Sequence, residues 1–163
     1  MLHETFARMV DAAAAAIRAV YGERLRALAL FGSVARGTMR PDSDIDLLLI
    51  VEPLAPDRRA RLDEFERVDA KVAPALAEAR RAGVQTVLAP VIKTPQEVRA
   101  GSFLHLDLPE QAQVLWDPDG MLKEYLDDLA ARLKAMGARR IGAVASAYWD
   151  LKPDYRWGDR IEL

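Results

Sequence analysis

Cysteine is absent from the 163 residues. Disulfides, thiolate-held zinc and thiol nucleophiles are therefore excluded. Histidine is scarce: His3 and His105 are the two present, too few for a histidine-rich metal site or for most histidine-dependent triads. Both read as packing or surface residues. No apolar run approaches the roughly 18–20 residues that span a bilayer, so no membrane partner is expected. The opening Met1-Leu2-His3-Glu4-Thr5 lacks the basic stretch leading into an apolar run that marks a secretory signal, and the expected compartment is the cytoplasm. An excess of one charge is lacking too: 23 Lys and Arg stand against 25 Asp and Glu, a formal net charge of −2. Proteins that coat duplex nucleic acid need a large basic excess, so no duplex partner is expected. A local basic groove is compatible with this balance. What remains is 51% hydrophobic and 29% charged residues, the composition of a soluble globular chain. The length is that of one ordinary domain, which buries about 70% of the surface its unfolded chain exposes.

The segment Leu2 to Tyr21 reads as a helix, because Phe6, Met9, Val10, Ala13, Ile17 and Val20 recur at helical spacing. Leu25 to Phe31 and Ile45 to Val51 read as buried strands, the second central to its sheet. Between them runs a loop, Gly32 to Ser43, rich in Gly, Ser, Thr, Pro and Asp. Asp57 to Ala82 is a charged amphipathic helix that Pro74 is expected to kink or split. Val84 to Lys93 reads as a third strand. Thr94-Pro95-Gln96-Glu97 is a helix start, with Thr94 as cap, Pro95 first and Glu97 closing a capping box. Phe103 to Trp116 is compatible with a short helix from Pro109 and an edge strand at Val114 to Trp116. Met121 to Met136 is a further amphipathic helix. The tail from Ile141 carries Tyr148, Trp149, Tyr155 and Trp157 among charges, fitting either aromatics packed on the domain or a partner-binding surface.

The stretch that carries chemistry runs from Phe31 to Leu49. Asp44 and Asp46 lie two apart at the start of an apolar strand, so both carboxylates point to one face. Two carboxylates about 7 Å apart repel unless a cation sits between them, and hard oxygen donors of this kind suit Mg²⁺ or Mn²⁺. Gly32 and Ser33 follow the other strand. Glycine lets a phosphate approach the backbone closely, and serine adds a hydroxyl donor. If Ser33 opens a helical turn, its backbone N–H groups face the same anion. Arg36 and Arg40 can neutralise charge nearby. The spacing from Gly32 to Gly37 imitates a Walker loop, but Thr38-Met39 replaces the Lys-Ser/Thr that such a loop requires. A lone Asp-x-Asp or a lone Gly-Ser is a weak signal. The two together, each beside an apolar strand, supply a phosphate cradle and a cation-binding pair, the minimal apparatus for phosphoryl or nucleotidyl transfer.

This arrangement resembles the nucleotidyltransferase superfamily with the polymerase-β-like fold. The matching residues are Leu28-Ala29-Leu30-Phe31-Gly32-Ser33-Val34-Ala35-Arg36-Gly37 and Ser43-Asp44-Ile45-Asp46-Leu47-Leu48. Within the superfamily it is similar to the minimal bacterial nucleotidyltransferases partnered with HEPN-domain proteins in toxin–antitoxin pairs. The resemblance implies an α/β (α+β) chain with a small mixed sheet, helices mainly on one face, and a C-terminal helical extension. It implies that Gly32 and Ser33, with Arg36 and Ser43 in the same pattern, hold the nucleotide. It implies that Asp44 and Asp46 are the catalytic, metal-binding acids. An acceptor hydroxyl then attacks the α-phosphorus of a nucleoside triphosphate and expels pyrophosphate. One departure stands out: the superfamily usually carries a third carboxylate on the next strand, and Gln85 is expected to occupy that place in Val84-Gln85-Thr86-Val87-Leu88. Glutamine takes no proton, and a positioned general base is worth roughly 10²- to 10⁴-fold in rate. A two-carboxylate site, recruitment of Glu97 or Asp107, and loss of transfer with retained nucleotide binding all stay open. Lys93 reads as a solvated strand end that can also reach a triphosphate.

The expected activity is Mg²⁺-dependent transfer of a nucleoside monophosphate, AMP from ATP in the first instance, to a hydroxyl of a protein or small molecule. The competitors are a weak or silent module that acts as an antitoxin by masking a HEPN-type partner, and an antibiotic-modifying nucleotidyltransferase. The last would need a homo-oligomer to enclose its acceptor. Residues 1–120 are expected to form the nucleotidyltransferase domain, with 121–163 as a helix and aromatic tail packed upon it.

Overall fold

The structure is a computed structural model of the chain and describes residues 1–101, 106–143 and 147–161. His105, the start of the ambiguous segment at 103–105 and part of the tail at 144–146 lie outside the described residues. Helix α1 (Leu2–Tyr21) buries the whole apolar stripe read from its spacing. Strand β1 (Leu25–Phe31) follows, then a single helical turn, α2 (Gly32–Ala35), and strand β2 (Ile45–Val51). Helix α3 (Arg58–Arg81) is capped by Asp57, whose carboxylate accepts from the Ala60 N–H at 3.1 Å. Pro74 does not split it: α3 is one continuous element with the proline on its exposed side. There the missing N–H costs a hydrogen bond but no core contact.

Strand β3 (Leu88–Lys93) starts four residues later than its apolar run suggests. Residues 84–87 are a lead-in tied elsewhere. The Val84 N–H donates to Ala79 O, and the Gln85 N–H donates to Pro41 O at 2.7 Å. Then come α4 (Pro95–Arg99), which has the full Thr94–Glu97 capping box, α5 (Leu108–Gln111), β4 (Gln113–Trp116) and α6 (Met121–Ala135). A two-stranded ribbon, β5 (Arg139–Ile141) and β6 (Tyr148–Asp150), follows.

The main sheet has four strands in the order β3-β2-β1-β4. Strands β1 and β2 are antiparallel, as are β1 and β4, while β2 and β3 are parallel and joined by α3. The sheet is therefore mixed. Both central strands read as near-continuous apolar runs because both of their faces are covered. Leu28, Leu30, Ile45, Leu47 and Leu49 face α1 and α3, meeting Phe6, Ile17, Phe65 and Val72. The alternate residues Ala27, Ala29, Leu48 and Ile50 form a second cluster with Leu122, Leu126 and Leu129 of α6 and Val98 of α4. The two long helices thus share one face, and the C-terminal extension supplies most of the cover for the other. At the β3 edge, Arg61 donates from Nη1 to Ile92 O at 3.2 Å and Pro90 has no N–H to offer, so this edge is a poor template for another strand. Among the described residues no helix is long and apolar enough to cross a membrane.

Candidate functional site

Register decides where the two motifs meet. Phe31, the last residue of β1, pairs with Asp46, the second residue of β2. The chain leaves β1 at Gly32 directly beside the Asp46 side chain. Gly32 has φ +73°, and a Cβ built on it would lie 1.9 Å from Asp46 Oδ2 and 2.8 Å from its Cγ. Glycine is needed there twice over, for its left-handed backbone and for the carboxylate packed against its Cα. Asp44 lies two residues upstream, just before β2 begins, exposed where Asp46 is half-buried and near enough for its charge to act on Asp46. Burial pushes the Asp46 carboxyl above its usual range, the negative charge of Asp44 pushes it the same way, and the Arg36 guanidinium opposes both. The two acids and the Gly-Ser bend therefore share one end of the sheet.

The α2 turn presents its first N–H groups without helical partners, as every helix start does, and Ser33 stands in this first turn. Arg36 ends the turn and donates from Nη1 to Gln111 Oε1 at 2.8 Å. Ser43 plays a structural part, since its Oγ accepts from the Arg40 N–H at 2.8 Å and closes the bend that leads into Asp44. Arg40 itself pairs with Asp42, Nε to Oδ1 at 3.2 Å, rather than with the acidic pair.

The acids weighed as substitutes for a third carboxylate are engaged elsewhere. Glu97 closes its capping box and accepts from Arg61 Nη1 and Nη2 at 2.8 and 3.0 Å. Arg61, only 8% exposed, holds the Glu97 carboxyl below its usual range. Asp107 accepts from Trp149 Nε1 at 2.8 Å and pairs with Arg140 at 3.4 Å. Gln85 does not occupy the place expected of it. Because β3 begins at Leu88, the residue registered with Asp46 is Ala89, and the Ile45 N–H is received by Val87 O. Neither Ala89 nor Val87 is acidic, so the correction moves the position without restoring the charge. Lys93 is registered with Ile50, about 13 Å along the strands from Asp46, and does not join the site. Among the described residues no group of three or more Asp, Glu, His or Cys converges on a common point.

The donor set fits a divalent cation: two oxygen-bearing acids of like charge, one of them partly desolvated, gain from a hard cation between them. Sequence reasoning missed Gln111 and Gln113, which tie α2 to the β4 end of the sheet. Nothing local to those residues signals it.

Residues 18–83 match the model of the family described as nucleotidyltransferase domain. The resemblance read from the Gly-Ser and Asp-x-Asp motifs holds, and the mixed sheet with its helices is consistent with that fold. Among solved structures, a toxin–antitoxin with AMP-PNP aligns at 18% identity and TM-score 0.43, covering 83% of this chain and 89% of that one. A mutant of the toxin–antitoxin MntA-HpeT aligns at 16% identity and TM-score 0.47, covering 73% and 81%. Likenesses of this size carry no weight on activity or partner.

Proposed function

We propose that the chain binds a nucleoside triphosphate with a divalent cation and transfers its nucleoside monophosphate to a hydroxyl, with ATP as the first donor to test. The observation that carries this reading is the packing of Gly32 Cα against the Asp46 carboxylate, which joins the phosphate bend to the acidic pair. Asp44 and Asp46 would hold Mg²⁺ or Mn²⁺, which when bound neutralises triphosphate charge and acidifies an attacking hydroxyl. Gly32 admits the phosphates to the backbone, Ser33 offers its hydroxyl, the turn offers the N–H groups that have no helical partner, and Arg36 balances charge at the C-terminal end of that turn. The acceptor oxygen forms its bond to the α-phosphorus as pyrophosphate departs, and the acceptor's proton goes to solvent or to a carboxylate of the pair.

The test is incubation with labelled ATP, Mg²⁺ and candidate acceptors, beside calorimetry of ATP binding. We expect binding and label transfer by the wild type and loss of both in Asp44→Ala/Asp46→Ala. Label transfer untouched by the double substitution sinks the assignment.

A second reading is favoured by one observation: Ala89, registered with Asp46, and Val87, whose carbonyl receives the Ile45 N–H, carry no acid. On this reading the site binds nucleotide weakly or not at all, and the chain acts by masking a HEPN-type protein partner, as the resemblance to toxin–antitoxin nucleotidyltransferases suggests. Trp157, 99% exposed, and its neighbour Tyr155 supply apolar surface for such a contact. Tight partner association without ATP affinity in the presence of Mg²⁺ would select it.

A further inference from the structure

A four-residue helix does not hold its own shape, because one turn fixes more dihedral angles than its hydrogen bonds repay. The carbonyls of α2 are nevertheless all engaged. Gly32 O accepts from the Arg36 N–H at 3.2 Å, Ser33 O from Thr38 at 2.9 Å and Val34 O from Gly37 at 3.1 Å. The last, Ala35 O, accepts from Gln113 Nε2 at 2.8 Å. Gln113 is registered with Leu30 on β1, so it reaches the turn from the neighbouring strand. The next residue, Arg36, is held by Gln111 Oε1 at the end of α5.

Chemistry fixes both amides. A guanidinium only donates and a carbonyl only accepts, so Gln111 must turn its oxygen to Arg36 and Gln113 its nitrogen to Ala35. That orientation leaves Gln111 Nε2 buried with no partner among the described residues. A buried unpaired donor is unfavourable, so the amide is oriented by Arg36 and not by its own packing.

We propose that Gln111 and Gln113 are positioning residues of the nucleotide site, Gln111 acting through Arg36 and Gln113 through the Gly32–Ala35 turn, so that polyphosphate meets a preformed cradle. The inference rests on the nucleotide-binding reading of Gly32, Ser33, Asp44 and Asp46. Arg36 is exposed. Untethered, its long side chain would have to be ordered when the anion arrives, and that lost entropy weakens binding. Tethered, it already stands near Asp46.

The test is a double-mutant cycle on the full chain, titrating ATP with Mg²⁺ into the wild type, Gln111→Ala, Arg36→Ala and the double variant, with a melting curve for each. Gln111→Ala is expected to weaken ATP binding about three- to tenfold, the worth of one net hydrogen bond. In the Arg36→Ala background the same substitution is expected to change nothing, since the group it acts through is gone. A purely structural role would lower both backgrounds alike. Gln113→Glu, which keeps the shape and loses the donor, is expected to weaken ATP binding in the same range. Unchanged affinity in Gln111→Ala and Gln113→Glu, or equal losses in both Arg36 backgrounds, overturns the inference while leaving the nucleotide reading intact. A wild type that binds no ATP overturns the nucleotide reading itself, and the inference with it.

Discussion

Gly32 is the residue on which the site turns, since it satisfies a backbone requirement and a packing requirement at one atom. Gly32→Ala would place a methyl group within 1.9 Å of Asp46 Oδ2 at φ +73°. The strained backbone alone costs about 1–3 kcal/mol, and the acid must swing away from the bend. We expect a stability loss of that order in urea denaturation, together with loss of ATP binding. Asp46 makes the opposite case. Its carboxyl titrates higher in the folded protein than in the unfolded chain, chiefly through burial and then through Asp44. The folded state therefore holds the proton more tightly, and ionised Asp46 destabilises the fold at every pH above the folded value. The penalty disappears as pH falls through the folded pKa to the unfolded one. Asp46→Asn is accordingly expected to be more stable than the wild type at neutral pH, with the gap closing on acidification, while Mg²⁺-dependent ATP binding is lost. A gap that widens in acid would contradict this. The Gly-Ser bend and the acidic pair were legible in the sequence because each is local and each borders an apolar run. Gln111 was not, because its bond to Arg36 crosses 75 positions of chain.

At the scale of elements, the periodic ones were readable, and so were the short ones that carry a cap, a proline start or an edge strand, as α4, α5 and β4 do. The bounds of α1, β1 and β2 follow from their apolar spacing, and the α4 cap from Thr94, Pro95 and Glu97. The start of β3 misled, because Val84 and Thr86 are as buried as strand residues while their backbone serves a lead-in bound to Ala79 and Pro41. Burial and strand pairing are separate facts, and apolar patterning reports only the first. The β5–β6 ribbon escaped notice because three-residue strands leave too few alternations to detect. The corrected register has a consequence for chemistry. It sets Ala89 beside Asp46 in the parallel β2–β3 pair, so side chains there share a face. Ala89→Asp would put a third carboxylate next to the pair. If the chain retains a working two-acid centre, transfer to an acceptor hydroxyl is expected to rise roughly 10- to 100-fold, up to the lower end of the roughly 10²- to 10⁴-fold worth of a well-positioned general base. Radiolabel incorporation measures it, and no gain at undiminished ATP affinity would mean that the missing acid does not limit the reaction.

Across the whole molecule, the sheet is a wall whose two sides depend on different parts of the chain. One side is sealed by α1 and α3, the other largely by α6. Leu122, Tyr125, Leu126, Leu129 and Leu133 are all buried there. At about 1.5–3 kcal/mol for each large apolar side chain, this face contributes on the order of 10 kcal/mol, comparable to the roughly 5–15 kcal/mol that separates a folded domain from its unfolded chain. The expectation that residues 121–163 pack on the preceding domain therefore becomes a sharper proposal: without α6, residues 1–120 do not form an independent domain to pack on. A chain ending at Gly120 would expose Ala27, Ala29, Leu48 and Ile50 on the face of the sheet that Asp46 shares, and it is expected to show no cooperative thermal transition. A chain ending at Gly137 keeps α6 and loses the ribbon and tail. It forfeits the Trp149–Asp107 and Arg140–Asp107 contacts and the packing of Trp149, but Trp157 and Tyr155 are exposed and their removal uncovers nothing. That chain is expected to melt cooperatively at a modestly lower temperature and to bind ATP as the full chain does. If the masking reading is right, it loses its protein partner while keeping the fold. Calorimetric melting of the two truncations separates scaffold from docking surface, and a cooperative transition in the shorter one would show that the sheet can stand with one face bare.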